Sequence, residues 1–172
     1  HSGLPSVSGV SDLIAGILTN ASTTMASNIS NQKTFCAMNG KELGWHSPVE
    51  IHIYDELGNH TGPTSANEIE YAVPNIDYDI MGHNKFVFLP SDGGHIYRVV
   101  TKALSAGTFD LLIMQNTDGT QMQGIIFNDV QITASSSATQ IITDTSVDTS
   151  LQIDRFGTGQ FSIVSVDSVL GP

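Results

Sequence analysis

Residues 49–54 alternate apolar and polar side chains: Val49, Ile51 and Ile53 interleave with Glu50, His52 and Tyr54. A two-residue period places the two sets on opposite faces of an extended strand, which a helix cannot do. Much of the chain beyond residue 54 also reads as strands between turns. Phe86–Leu89, Ile96–Val100, Thr108–Met114 and Gly124–Ile132 are strand-like, and residues 68–73 form a short candidate strand. Later strands are expected near 138–143, 149–154 and 160–166. Asp55–His60, Ser91-Asp-Gly-Gly94, Thr117-Asp-Gly119 and Gly157-Thr-Gly159 are turn sequences between them. Short strands at regular spacing predict an all-β chain, an antiparallel β-sandwich that is immunoglobulin-like or jelly-roll-like. The expected core is Val49, Ile51, Ile53, Phe86, Phe88, Phe109, Leu111, Ile113, Ile126, Ile141, Ile153 and Ile163.

The first residues have a different period. Val7, Val10, Leu13, Ile14, Ile17 and Leu18 recur at three- and four-residue steps, which predicts a short N-terminal helix over 6–19 with Ser6 capping its first turn. The organisation expected is a helical segment at 1–24, a polar linker at 25–40 and the sandwich at 41–172.

Composition narrows the function classes. Charged residues make up only 13% of the chain, and its net charge is -11 with six Lys and Arg. Such a surface repels phosphate backbones and anionic lipids, so no nucleic-acid partner is expected. No stretch approaches the ~18 apolar residues of a membrane span. Low charge with abundant Ser, Thr, Asn and Gly suits an extracellular or cell-surface protein. The single cysteine, Cys36, cannot form an internal disulfide and is expected to be a small buried apolar side chain. The chain opens His-Ser-Gly, with neither Met nor a basic leader, so a mature, trimmed or excised chain is expected.

Side chains able to do chemistry are scattered. Asp77 and Asp79 stand at alternate positions in an expected loop, and loop carboxylates with backbone carbonyls are what calcium requires. Beside that metal reading stands the plainer one of turn-forming aspartates. Asp154-Arg-Phe-Gly157-Thr-Gly159 reads as a plain turn. Trp45, Tyr54 and Tyr97, with Tyr71 and Tyr78, could line a sugar-binding face, since flat rings stack on pyranose rings; packing in the core or at a sheet edge competes with that role. His46 and His52 could share a strand face, and His83 and His95 could meet across a sheet. The chain has no Gly-x-Ser-x-Gly elbow, no Gly-rich phosphate loop and no cysteine pair.

Two segments carry a resemblance. Ser47-Pro-Val-Glu-Ile-His-Ile-Tyr-Asp-Glu-Leu-Gly58-Asn-His-Thr-Gly62, then Lys85-Phe-Val-Phe-Leu89, then Gly107-Thr-Phe-Asp-Leu-Leu-Ile113, resembles a β-sandwich module appended to secreted prokaryotic proteins, lipase-like hydrolases among them. It covers residues 41–170. His1-Ser-Gly-Leu-Pro-Ser6 and the helix after it are similar to the end of an α/β-hydrolase domain, where the last triad residue is a histidine before the final helix. The resemblance implies that His1 is the general base of a serine hydrolase whose serine and acid lie upstream. It implies an accessory, non-catalytic C-terminal module for stabilisation or for tethering to a surface polymer or carbohydrate. A free-standing carbohydrate- or protein-binding sandwich is the alternative. A part of a serine hydrolase using His1 is the other.

Overall fold

A computed structural model describes residues 10–19, 39–46, 48–66, 68–91, 93–117, 121–143 and 149–171. The chain divides into two compact units, His1–Cys36 and Ala37–Pro172. The first contains one described helix, α1 (Val10–Thr19), in which Ile14 and Leu18 are exposed. The Thr19 hydroxyl donates to the Ala15 carbonyl at 2.8 Å in its last turn. His1 and Cys36 lie outside the described residues.

Among the described residues, the regular elements of the second unit are all strands. In chain order its elements are β1 (Gly40–His46), β2 (Val49–Tyr54), β3 (His60–Pro63), β4 (Ile69–Tyr71), β5 (Asp77–Met81), β6 (Asn84–Pro90) and β7 (Ile96–Ala103). They continue with β8 (Gly107–Thr117), β9 (Gln121–Ile132), β10 (Ser137–Thr143), β11 (Ser150–Asp154), β12 (Ser162–Ser165) and β13 (Ser168–Leu170). They form a sandwich of two sheets. The first, in the order β13-β9-β8-β1-β6-β5, has six strands; the second, β12-β11-β10-β7-β2-β3-β4, has seven. Neighbouring strands run antiparallel throughout.

The core lies between the sheets. Leu43, Trp45, Val87, Leu89, Phe109, Leu111, Ile113, Ile125 and Phe127 come from the first sheet. Val49, Ile51, Ile53, Tyr97, Val99, Ala138, Ile142, Leu151 and Ile153 come from the second. Tyr78 on β5 crosses this layer, and its hydroxyl donates to the Ile51 carbonyl at 3.2 Å. Burial raises that phenol to about 12.

Seven of the expected core residues face inward, and five do not. Phe86, Phe88 and Ile126 are only half-buried, Ile141 is exposed, and Ile163 is 70% exposed on β12, an edge strand. The inward residues are their neighbours Val87, Leu89, Ile125 and Ile142. In Lys85-Phe-Val-Phe-Leu89 both alternation phases are apolar, so the pattern does not choose between them. β1 chooses. Its Gly44 and Gly40 stand opposite Phe86 and Pro90 in register, with Phe88 paired to Glu42 between them. A Cβ on Gly40 would lie 2.5 Å from the Phe88 ring, and one on Gly44 would lie 3.6 Å from the Phe86 ring. Aromatic rings thus cover the two glycines on the outer face, as they do where glycine interrupts a sheet. Lys85 is turned inward by the same phase, and its ammonium donates to the His83 carbonyl at 3.0 Å.

β9 changes phase at a bulge. The β8–β9 register shifts between Phe109 and Leu111, and Asp129 takes φ 50°. Phe127 and Val130 therefore both face the core although they stand three positions apart. Two carboxylates hold the bulge: Asp110 accepts from the Asp129 amide at 2.8 Å, and Asp167 accepts from the Asn128 amide at 2.7 Å.

Candidate functional site

The anticipated aromatic face does not form. Trp45 is fully buried on the inner face of β1, and its indole Nε1 has no hydrogen-bond partner among the described residues. Tyr97 is buried as well. Tyr54 alone of the three reaches an outer face, where it is already covered. The Arg98 guanidinium sits 4.2 Å from its ring centroid, and the His60 ring lies 4.9 Å away on centroids. Trp45 was open to this misreading because an isolated tryptophan between Gly44 and His46 gives no phase.

Tyr97 nevertheless contributes to a cleft at one end of the sandwich. Asp55, Glu56, Leu57 and Asn59 of the β2–β3 loop, Val73–Asn75 of the β4–β5 loop, and His95 and Tyr97 enclose about 150 Å³. Asp55 shapes the first loop by accepting from the Leu57 amide at 3.0 Å, the Asn59 amide at 2.8 Å and the Asn59 side chain at 2.7 Å. Desolvation opposes ionisation of this carboxyl, but those donors together hold it below the usual carboxylate range. His95 Nδ1 lies 3.0 Å from Glu56, which ties the β6–β7 loop to the same rim. The walls mix apolar surface from Val73, Pro74 and Tyr97 with the polar groups of Asn59, Asn75, His95 and Glu56, the mixture found in small-ligand clefts.

Asp77 and Asp79 do not lie in a loop. Both belong to β5, an edge strand, and project from one exposed face of it. Ladder pairing consumes backbone groups that a calcium loop would present, and calcium takes about 6–8 oxygens. Among the described residues no group of three or more His, Cys, Asp or Glu is placed to hold a metal. The pair instead borders an open groove of about 240 Å³ with Glu42, Phe86, Val87 and Phe88.

The histidines pair differently from either expected pairing. His46 lies in the first sheet, its Nδ1 2.9 Å from the Asn84 amide oxygen, and His52 lies in the second. His83 stands in the turn between β5 and β6, whereas His95 precedes β7. A contact between two histidines joins His52 to His60 on the outer face of the second sheet. His52 Nδ1 is 2.9 Å from His60 Nε2, and His60 Nδ1 is 2.7 Å from the Glu70 carboxylate. Gly62, opposite Glu70 in register, makes room for the pair. Its φ is 144°, and a Cβ there would lie 2.5 Å from the Ile51 carbonyl oxygen and 3.2 Å from His60 Nε2.

His52 is only 6% exposed, and its Nε2 is buried without a hydrogen-bond partner among the described residues, 3.8 Å from Glu50. Burial, the Lys102 ammonium and the His60 ring lower its pKa from 6.5 to about 4. A single proton serves the Nδ1···Nε2 contact, so one ring must supply a lone pair. The His52 end of this relay is buried, and the two contacts link β2, β3 and β4. A hairpin centred on Leu57 would have revealed the pair, since it sets Tyr54 opposite His60; the second arm of that hairpin, β3, lacks apolar alternation.

No known protein family, curated protein or solved structure matches the chain.

Proposed function

We propose that Ala37–Pro172 is a non-catalytic accessory module of a secreted α/β-hydrolase of the lipase or esterase kind. It acts outside the cell or at its surface and tethers the enzyme to a polymer or carbohydrate. The observation that carries this reading is the core: the two sheets of the second unit bury an apolar layer between themselves, as a module that can be joined to another domain must. The resemblance of His1-Ser-Gly-Leu-Pro-Ser6 to the end of a hydrolase domain supports the identity of the neighbour, with His1 as general base there. Incubating this chain with p-nitrophenyl esters tests it. No turnover is expected. Turnover that a serine-directed phosphonate abolishes would overturn the non-catalytic reading. In the joined enzyme, deleting 37–172 is expected to spare soluble esters and to lower activity on polymer-bound ones.

The loop-end cleft favours a second reading, a free-standing carbohydrate-binding sandwich. Oligosaccharide titrations followed by amide NMR separate the two: shifts confined to Asn59, Asn75 and His95 in the isolated chain support it. Asn75→Ala and His95→Ala should then weaken binding.

A further inference from the structure

Most described carboxylates have a partner. Glu50 faces His52, Glu56 pairs with His95, and Glu70 pairs with His60. Asp55, Asp110, Asp154 and Asp167 accept from backbone amides. Glu42, Asp77 and Asp79, like Glu68 and Asp129, have no side-chain ion pair or hydrogen bond among the described residues, and the first three converge on the groove of the first sheet.

The groove is built in register. Phe88 stands between Asp77 on β5 and Glu42 on β1, while Phe86 stands between Asp79 and Gly44. Both rings are half-buried over the glycines of β1. No described cation shares this face. Lys41 and Lys85 are buried, Arg98 and Lys102 belong to the second sheet, and Arg155 lies between β11 and β12. Guarding an open edge accounts for charges at Asp77 and Asp79. It does not account for Glu42, which is on β1, a central strand.

We infer that this groove binds an extended polypeptide segment carrying Lys or Arg at alternate positions. Carboxylates beside exposed ring faces complement a cation on an apolar stem: the stem lies on the phenyl ring, and the head group reaches the carboxylate. Spacing selects an extended peptide. Asp77 and Asp79, like Phe88 and Phe86, are two residues apart on a strand, about 6.6–6.8 Å, which is also the repeat of alternate side chains in an extended ligand. Peptide binding in this groove does not depend on the accessory-module reading.

The test uses the whole chain and a labelled, end-capped peptide Lys-Thr-Lys-Thr-Lys, with binding read by fluorescence anisotropy. The control peptide has the same composition with its three lysines contiguous. The alternating peptide is expected to bind at least ~5-fold tighter than the control, and raising salt from about 20 to about 300 mM should weaken it further. The triple variant E42Q/D77N/D79N should lose roughly tenfold or more in affinity. Phe88→Leu, which keeps apolar bulk but removes the ring face, should lose about threefold. Circular dichroism melts establish that the variants remain folded. Absence of peptide binding, or unchanged affinity in a folded triple variant, overturns the inference. So does equal affinity for both peptides, which would show unspecific attraction to an acidic protein. Preference for a chitosan oligomer over the peptide would replace the occupant by an amino-sugar polymer, and the peptide proposal would fail.

Discussion

Trp45 and Gly62 show how little a residue's type says about its task. Trp45 occupies the space between the sheets, so Trp45→Ala removes the largest fully buried side chain. A loss of about 3–5 kcal/mol is expected from urea unfolding. A loss under ~1 kcal/mol would place the indole at the surface instead. Gly62 acts through what it lacks. An alanine there meets the Ile51 carbonyl and the His60 ring in a backbone conformation that L residues rarely adopt. Gly62→Ala should cost on the order of 2 kcal/mol, visible in the same assay, and should break the histidine contact. Neither glycine nor tryptophan signals such a role in the sequence, because the contacts that define it come from other strands.

Among the elements, β3 and β4 rest on the most condition-sensitive contact. The folded pKa of His52 lies near 4, below its ordinary 6.5. Between those values the unfolded chain binds a proton that the folded chain excludes, so stability rises with pH there. The full contribution is present above about pH 6.5 and is lost as pH falls toward 4. The relay geometry adds a reason: two protonated rings would be two donors facing each other at 2.9 Å. Wild-type protein should therefore lose ~2 kcal/mol more than His52→Gln over this range, allowing for partial solvent access. Hydrogen exchange at β3 and β4 should accelerate first. Parallel stability–pH curves for the two proteins would remove His52 as the cause. The strand phases follow the same logic of borrowed information. β6 could have turned either set of apolar residues inward; β1 decided the matter by offering glycines to Phe86 and Phe88.

At the scale of the whole molecule, the net charge of -11 is spread over few basic residues. Self-repulsion of that kind is screened within about 8–10 Å in ordinary buffers. The melting temperature at pH 7 should rise by a few degrees between about 10 and about 150 mM salt. A fall would mean that the His–Glu pairs outweigh the repulsion.

The alternation of Val49–Tyr54, the turn residues and the low charge were enough to determine strands, their antiparallel class and a sandwich, because binary pattern and turn chemistry are local properties. Asp55–Asn59 is such a local signal, and it makes the turn its residues suggest. Tertiary structure decided which face of an ambiguous strand went inward, which carboxylates met, and which histidines shared a proton. Those outcomes depend on partners eight to dozens of residues away, as with His52 and His60 or Glu42 and Phe88. A one-residue change of phase, as at β6, moves every side chain of a strand to the opposite face, so the sites stay undetermined until the sheets have paired.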